Sequence, residues 1–225
     1  MPTGKITAIA AQAHDSQRVN IFVDGDFAIG ISLATLAREG LFVGKELDEA
    51  GWARLEAAAQ AEQAMRAAGR LLDVRPRSVA EIRQRLLRKQ FPPEIVEQAI
   101  ERLGEIGLLD DSAFSRYWVE SRQAARPRGR LALRDELRRK GVPRDTIDQA
   151  LAEADAEAPP DAERARAEQA ARAALRRYAD CPDRATFQRR LGGFLQRRGF
   201  SLDVISPILA ILWSELRAHQ ESDSE

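Results

Sequence analysis

The chain has 225 residues, 44% hydrophobic and 31% charged, and its 35 basic and 35 acidic side chains cancel to a formal net charge of zero. That length and apolar content suit one or two domains or a short repeat array, and the charge balance excludes a chain-wide basic field for nucleic acid. A single cysteine, Cys181, excludes an internal disulfide framework and fits a reducing cytoplasm, while the longest apolar run, Val204 to Trp213 with Ser206 and Pro207 inside it, is too short to span a bilayer.

The first residues, MPTGKITAIAAQAHD, lack a basic segment followed by a long apolar one and do not read as a signal peptide. Lys5 to Ala13, Val19 to Val23 and Asp26 to Ile31 are rich in Ile and Val with partial alternation. Asp24-Gly25 between the last two is a tight-turn pair, because such a turn needs positive φ. These features predict a three-stranded antiparallel module, followed by a short helix from Leu33 to Glu39 that Gly40 closes. A module of about 45 residues has little core of its own and should lean on the next segment of the chain. Asp48 to Val74 is helical and Ala-rich, as one helix or as two broken near Ala58, and Arg75-Pro76 ends it. Ser78-Val-Ala-Glu81 is a capping box that starts the next helix, and Phe91-Pro92-Pro93 starts a third that ends near Gly104 or Gly107.

From Gly107 to Pro143 the pattern returns. Asp110 or Asp111 caps a helix whose apolar face carries Phe114, Trp118 and Val119, with Trp118 expected in the core. A second helix carries Leu133 and Leu137, Lys140-Gly141 ends it, and Pro143 opens a third. Ala156 to Asp161 is a linker with Asp161 expected as a cap. A long Ala/Arg helix then runs to Tyr178, Pro182-Asp183 turns the chain, Phe187, Leu191 and Leu195 form the next stripe, and Ser201 caps the last helix before the tail from His219.

The unit is repeated. Shifted back by 51 positions, Leu133, Leu137, Lys140, Val142, Pro143 and Ile147 fall on Ile82, Leu86, Lys89, Phe91, Pro92 and Val96; shifted forward by 58, Leu133, Leu137, Lys140, Gly141 and Val142 fall on Leu191, Leu195, Arg198, Gly199 and Phe200. The matches lie on core, cap and turn positions, which predicts a mainly α chain of three tandem helix–turn–helix-like three-helix repeats in an elongated curved array. The expected division is 1–49 for the β module, 50–109, 110–158 and 159–225 for the repeats, the last with an acidic tail.

Catalytic chemistry is not visible. No phosphate loop, GxGxxG, HExxH or CxxC occurs, His14 and His219 lie near opposite ends, and Cys181 has no thiolate-activating neighbour. No metal or cofactor is expected. The informative feature is charge organised by repeat. From Arg126 to Arg144 stand Arg126, Arg128, Arg130, Arg134, Arg138, Arg139, Lys140 and Arg144 against Asp135 and Glu136. Basic pairs precede the helix-ending turn in every copy, Arg88-Lys89, Arg139-Lys140 and Arg197-Arg198, and Arg83 matches Arg134. Favourable helix-dipole interaction accounts for cations at a helix C-terminus but not for those at the start of a helix. The helix after the turn is acidic in the first two copies: Glu94, Glu97, Glu101 and Glu105 against Arg102 in one, Asp145, Asp148, Glu153, Asp155 and Glu157 in the next. Phosphates would repel such helices, so major-groove reading of a duplex is disfavoured. A basic side on the second helices and an acidic side on the third suit a repetitive partner that offers both signs of charge.

Leu71-Leu72, Arg75, Ser78, Glu81-Ile82, Leu86 and Lys89-Gln90-Phe91 resemble the first repeat of the RecX regulatory proteins. Gly107-Leu-Leu-Asp-Asp111, Phe114, Trp118-Val119 and Arg122 resemble their most characteristic motif, with Gly129, Leu133, Glu136-Leu137, Lys140-Gly141-Val142 and Arg197-Arg198-Gly199-Phe200 completing it. Residues 5–50 resemble the N-terminal module of the longer members. Gln90 departs from the glycine common at that turn, which puts tight capping of the first turn in doubt.

The resemblance implies a non-enzymatic, cytoplasmic inhibitor of the RecA recombinase that lodges in the groove of the RecA–single-stranded-DNA filament. There it would restrain strand exchange in homologous recombination, ATP hydrolysis and the coprotease step of the SOS response to DNA damage. The expected partners are the filament and single-stranded DNA, directly or through RecA, with the chain monomeric and no membrane involved. The basic residues Arg83, Arg88, Lys89, Arg126, Arg128, Arg130, Arg134, Arg138, Arg139, Lys140, Arg197 and Arg198 are the expected contact set. A helix-turn-helix regulator of duplex operators and a plain protein scaffold are the rival readings.

Overall fold

The structure, a computed structural model, describes residues 4–13, 15–125 and 127–222. They fall into two compact units, Met1–Leu109 and Asp110–Glu225.

In the first unit the N-terminal sheet has four strands rather than three. β1 (Gly4–Gln12), β2 (Asp15–Val23), β3 (Asp26–Ser32) and β4 (Glu46–Leu47) lie in the order β3-β2-β1-β4, with each neighbouring pair antiparallel. The fourth strand escapes sequence reading because two residues cannot display an alternation; Gly4 pairs with Leu47 and Lys5 with Glu46. Asp24 and Gly25 both take positive φ, 49° and 97°, as a primed hairpin turn demands. The Thr7 hydroxyl accepts the Gly25 N–H at 2.9 Å, which ties the turn to β1.

One face of the sheet buries Ile6, Val19, Ile21, Val23 and Ile31. After the short helix α1 (Leu33–Arg38), capped by Ser32, the chain enters α2 (Glu49–Val74), which is a single unbroken helix of 26 residues. Asp48 caps it by accepting the Gly51 N–H at 2.7 Å. Its first half supplies Trp52, Leu55 and Ala59 to the sheet's core. Its second half supplies Ala64, Ala67 and Ala68 to a separate core with Ile82, Leu86, Val96, Ala99 and Leu103. The module therefore does lean on the following helix, as its size demands. A polar tie reinforces this packing: the Arg18 guanidinium donates to Glu62 at 2.9 Å and to the Gly30 carbonyl at 2.7 Å, and Glu62 also accepts the Ser32 N–H.

The three-helix core of this unit is completed by α3 (Val79–Arg88) and α4 (Pro93–Glu105). Ser78 and Glu81 form the expected reciprocal capping box.

The second unit holds α5 (Asp111–Ala125), α6 (Arg130–Arg139) and α7 (Arg144–Glu157), then α8 (Ala162–Ala174), a 3-10 turn over Leu175–Arg177, α9 (Arg184–Arg197) and α10 (Leu202–Ser222). Asp110 receives the N–H groups of Ser112 and Ala113, and Asp183 receives that of Thr186. Ser201 stands where its carbonyl accepts the Ile205 N–H. Asp161 is not the side-chain cap the sequence suggests. Its backbone is left-handed (φ 64°), whereas a capping carboxylate needs extended backbone to reach the first-turn amides.

The second helix of all three repeats ends in the same way. Gly141 donates to the Arg138 carbonyl at 2.9 Å and Val142 to that of Leu137 at 3.2 Å, a Schellman pair. Gly199 and Phe200 repeat it on Gln196 and Leu195, and Gln90 and Phe91 on Leu87 and Leu86. The turn at Gln90 is thus closed like the others, with a non-glycine residue at φ 64°. The cost lies in the backbone, at about 1–2 kcal/mol for a left-handed residue with a Cβ. Glycine's extra unfolded-state entropy returns about 0.5–1 kcal/mol of that. Gln90→Gly is therefore expected to stabilise the first unit by about 0.5–1 kcal/mol, since the Gln90 side chain is exposed. Urea unfolding checks it; an unchanged or lower midpoint refutes the strain argument.

Between the second and third repeats the backbones meet directly. Gly129 donates to the Arg198 carbonyl at 2.9 Å and Leu131 to the Gly199 carbonyl at 3.2 Å. The Arg198 guanidinium reaches the Pro127 carbonyl at 3.3 Å, and Glu163 accepts the Arg130 N–H at 2.9 Å. Gly129 and Gly199 both belong to motifs visible in the sequence, but only the fold shows that they touch.

Candidate partner-binding surface

The basic residues of the second helices divide by what they touch. A first group ties helices together. Arg83 forks onto Glu97 with bonds of 2.6 and 2.8 Å. In the next repeat Arg134 meets Asp148 at 2.8 Å. These are the same two positions, 51 residues apart, each bridging the second helix to the third. The Arg83 guanidinium holds the Glu97 carboxyl below its usual range, against a weaker opposing effect of burial. Arg130 pairs with Asp155 and also reaches the Leu151 carbonyl at 3.4 Å. Arg128 pairs with Glu136 at 3.1 Å. The expectation of separate basic and acidic sides is corrected here: second and third helices lie side by side across a short turn, so their opposite charges interleave.

A second group covers aromatic rings. Trp118 is half-buried at the rim of the core formed by Phe114, Val119, Leu133, Leu137, Val142, Ile147 and Leu151, rather than inside it. Its indole N–H needs an acceptor, and Glu136 provides one at 2.9 Å. The Arg122 guanidinium lies 4.4 Å and the Lys140 ammonium 4.8 Å from the ring centroid. Arg198 lies 4.9 Å from the Phe194 ring. Glu136, with a side chain only 11% exposed, serves Trp118, Arg122 and Arg128 together. Its presence in the motif was the one sequence signal for this role.

A third group faces solvent. Arg138 and Arg139 have side chains 77% and 70% exposed and share one acid, Asp135, at 2.9 and 2.6 Å. Arg88, Lys89 and Arg197 are exposed, and among the described residues no acid pairs with them. Arg126 and His14 lie outside the described residues, as do the last three residues of the acidic tail, Asp223 to Glu225.

Arg144, at the start of α7 and 90% exposed, joins this third group; it stands 3.6 Å from Asp148, which Arg134 already occupies. Between α6 and α7, Arg138 and Arg144 of this group line a cleft of about 360 Å³ together with Leu131, Val142 and Ile147. Arg134, Arg138 and Arg144 outnumber Asp135 and Asp148 along its walls. An apolar-floored cleft with solvated cations at its mouth can take an acidic or phosphate-bearing surface with an apolar projection. No group of three or more His, Cys, Asp or Glu suited to a metal occurs among the described residues, and none of their helices is long and apolar enough to cross a membrane.

Comparison with known proteins covers most of the chain. Residues 4–48 match the regulatory protein RecX N-terminal domain, and residues 64–103, 110–151 and 161–209 match the first, second and third three-helix domains of RecX. The chain is 40% identical to the regulatory protein RecX of Mycobacterium avium (strain 104) over 160 residues, 71% of this chain and 88% of that one. It is 29% identical to the regulatory protein RecX of Bacillus pumilus (strain SAFR-032) over 221 residues, covering 97% of this chain and 81% of that one. A crystal structure of regulatory protein RecX superposes with a TM-score of 0.77 at 29% identity, over 91% of this chain and 98% of that one.

Proposed function

Since the chain belongs to the RecX family of regulatory proteins, we propose that it regulates the RecA recombinase by binding the RecA–single-stranded-DNA filament. Bound there, it restrains strand exchange, ATP hydrolysis and the coprotease activity that triggers the SOS response. The same reading makes it a cytoplasmic, monomeric, non-enzymatic modulator of recombinational DNA repair. The observation that supports it best on this chain is the solvated cation group of α6 and α7, where Arg138, Arg139 and Arg144 are held by too few acids to neutralise them. The exposed Arg88-Lys89 and Arg197 occupy the corresponding helix end in the other repeats, so a periodic partner meets the same chemistry more than once.

The helix-turn-helix reading for duplex operators has less support. The helix that would enter the major groove, α7, bears Asp145, Asp148, Glu153, Asp155 and Glu157, and phosphates flank that groove on both sides.

The protein is expected to lower RecA ATP hydrolysis on single-stranded DNA. The triple variant Arg138→Gln, Arg139→Gln, Arg144→Gln is expected to inhibit at least several-fold less well while keeping the parent's circular dichroism, because no buried group is removed. Each lost contact to a single-strand phosphate lowers the salt slope by about 0.7. A folded triple variant that inhibits like the parent across a salt series would show that this face is only a solvated surface.

A further inference from the structure

The first and second repeats share one register without gaps. The ends of α2 and α5, both ends of α3 and α6, and the starts of α4 and α7 are all 51 residues apart. That allows one place to be compared in both. In the second repeat, Phe114 and Trp118 of α5 lie below Lys140, the residue that ends α6, and Val142 follows the turn. In the first repeat the corresponding residues are Gln63, Ala67, Lys89 and Phe91. Both rings are gone, the lysine is kept, and an open cleft of about 320 Å³ stands there, lined by these four residues and by Arg66 and Arg70.

The charge around the two places also differs. Glu136, which accepts the Trp118 indole N–H, corresponds to Arg85, and Ser121 corresponds to Arg70. Arg70, Arg85, Arg88 and Lys89 are exposed, and among the described residues no acid pairs with them. Arg66 has Glu62 at 3.7 Å, but that carboxylate already serves Arg18 at 2.9 Å. Burial first, and then the neighbouring Arg18 and Arg70 charges against the opposing Glu62, hold the Arg66 guanidinium below its usual pKa. The floor is apolar, with Ala67 buried and Phe91 half-buried.

We propose that this cleft of the first repeat is a docking socket for an acidic peptide segment carrying one aromatic side chain. The aromatic ring enters beneath Lys89, against Ala67 and Phe91, where the chain itself places Trp118 in the second repeat. The acidic neighbours meet Arg66, Arg70 and Lys89. The repeat comparison selects the ring, because an amino-acid ring is what fills the equivalent space. The lining cations Arg66, Arg70 and Lys89, with no acid among the lining residues, select the charge. The assignment stands apart from the filament reading, since it concerns a peptide in isolation.

The test uses the full chain and three fluorescein-labelled probes: an acidic dodecapeptide with one central phenylalanine, the same peptide with alanine in that place, and a twelve-residue oligothymidylate. Fluorescence anisotropy is expected to show the phenylalanine peptide binding at least tenfold more tightly than the alanine peptide. The double variant Arg70→Glu, Lys89→Glu is expected to weaken it at least tenfold, since both side chains are exposed and their loss leaves the core intact. Ala67→Trp, which refills the space as Trp118 does, is expected to abolish binding with circular dichroism unchanged; if that variant does not fold, the charge-reversal pair decides. Equal binding of the two peptides, or a charge-reversal variant that binds like the parent, overturns the proposal. So does an oligothymidylate that loses binding in these variants while the peptide does not, because the cleft is then a nucleotide site. Inhibition of RecA plays no part in any of these readouts, so this proposal and the filament reading fail separately.

Discussion

Glu62→Ala is expected to destabilise the first unit by about 3 kcal/mol, the low end of the range for removing one partner of a buried ion pair, because Arg18 is buried but Glu62 only half-buried. The Glu62 side chain is 17% and the Arg18 side chain 11% exposed. Glu62 accepts from the Arg18 guanidinium, the Ser32 N–H and the Ser32 hydroxyl, and these groups come from β2 and from the end of β3. Truncation therefore leaves a buried guanidinium with the Gly30 carbonyl and strips the polar clamp that fixes the sheet on α2. Hydrogen exchange at the Val19, Ile21 and Ile31 amides reads this unit directly. Exchange like the parent's would show that the apolar contacts of Trp52, Leu55 and Ala59 hold the sheet unaided.

The same site carries a pH dependence with a definite sign. Burial opposes ionisation of Glu62, but hydrogen bonds from the Ser32 and Thr35 side chains, the Ser32 backbone and Arg18 outweigh it and hold the carboxyl below its ordinary value of 4.5. A carboxyl depressed in the folded state contributes stability that is present above its unfolded value and is lost as the pH falls through the folded value. The gap between parent and Glu62→Gln is thus expected to be constant at neutral pH and to shrink below about pH 4.5. A gap that widens on acidification would contradict the clamp.

Gly199→Ala is expected to be the other severe change. A Cβ there would lie 2.2 Å from the Ala132 nitrogen and 2.3 Å from its Cβ, and the residue has φ +86°. Left-handed backbone alone costs an alanine about 1–2 kcal/mol. Forced overpacking adds about 1–3 kcal/mol, and here the obstructing atoms are largely backbone, which has no rotamer to change. The expected loss is about 2–5 kcal/mol in the second unit. Gly25→Ala is the internal control: Gly25 has φ +97° with no atom within 4 Å of an added methyl, so it isolates the conformational part. Denaturant unfolding of both variants separates the two contributions. If Gly199→Ala costs no more than Gly25→Ala, the contact between the second and third repeats is not a structural joint.

Much of this architecture was written locally in the chain. Ser78 with Glu81 and Asp110 act on amides within a few residues, and Asp24-Gly25 is marked by its own preference for positive φ, so capping and turn chemistry identifies them without any fold. The three-fold recurrence of the apolar pair and the turn, Ile82 and Leu86, Leu133 and Leu137, Leu191 and Leu195, carries the repeats in the same way, because helical periodicity is a short-range property. It also identifies which residues are basic at each helix end.

Which of those cations are available is a different kind of question, and the tertiary structure alone decides it. Arg83 and Arg134 are consumed by acids 14 residues away on the next helix. Lys140 and Arg198 are drawn over rings, while Arg138 and Arg139 stay solvated beside a single aspartate. The Arg18–Glu62 tie spans 44 residues, and the Gly129–Arg198 hydrogen bond spans 69. Charge pairing and backbone contact fall off over a few ångströms, so they depend on how helices lie against one another. A sequence specifies its own caps, turns and apolar stripes, but the partner of each charge is fixed only once packing has set those distances.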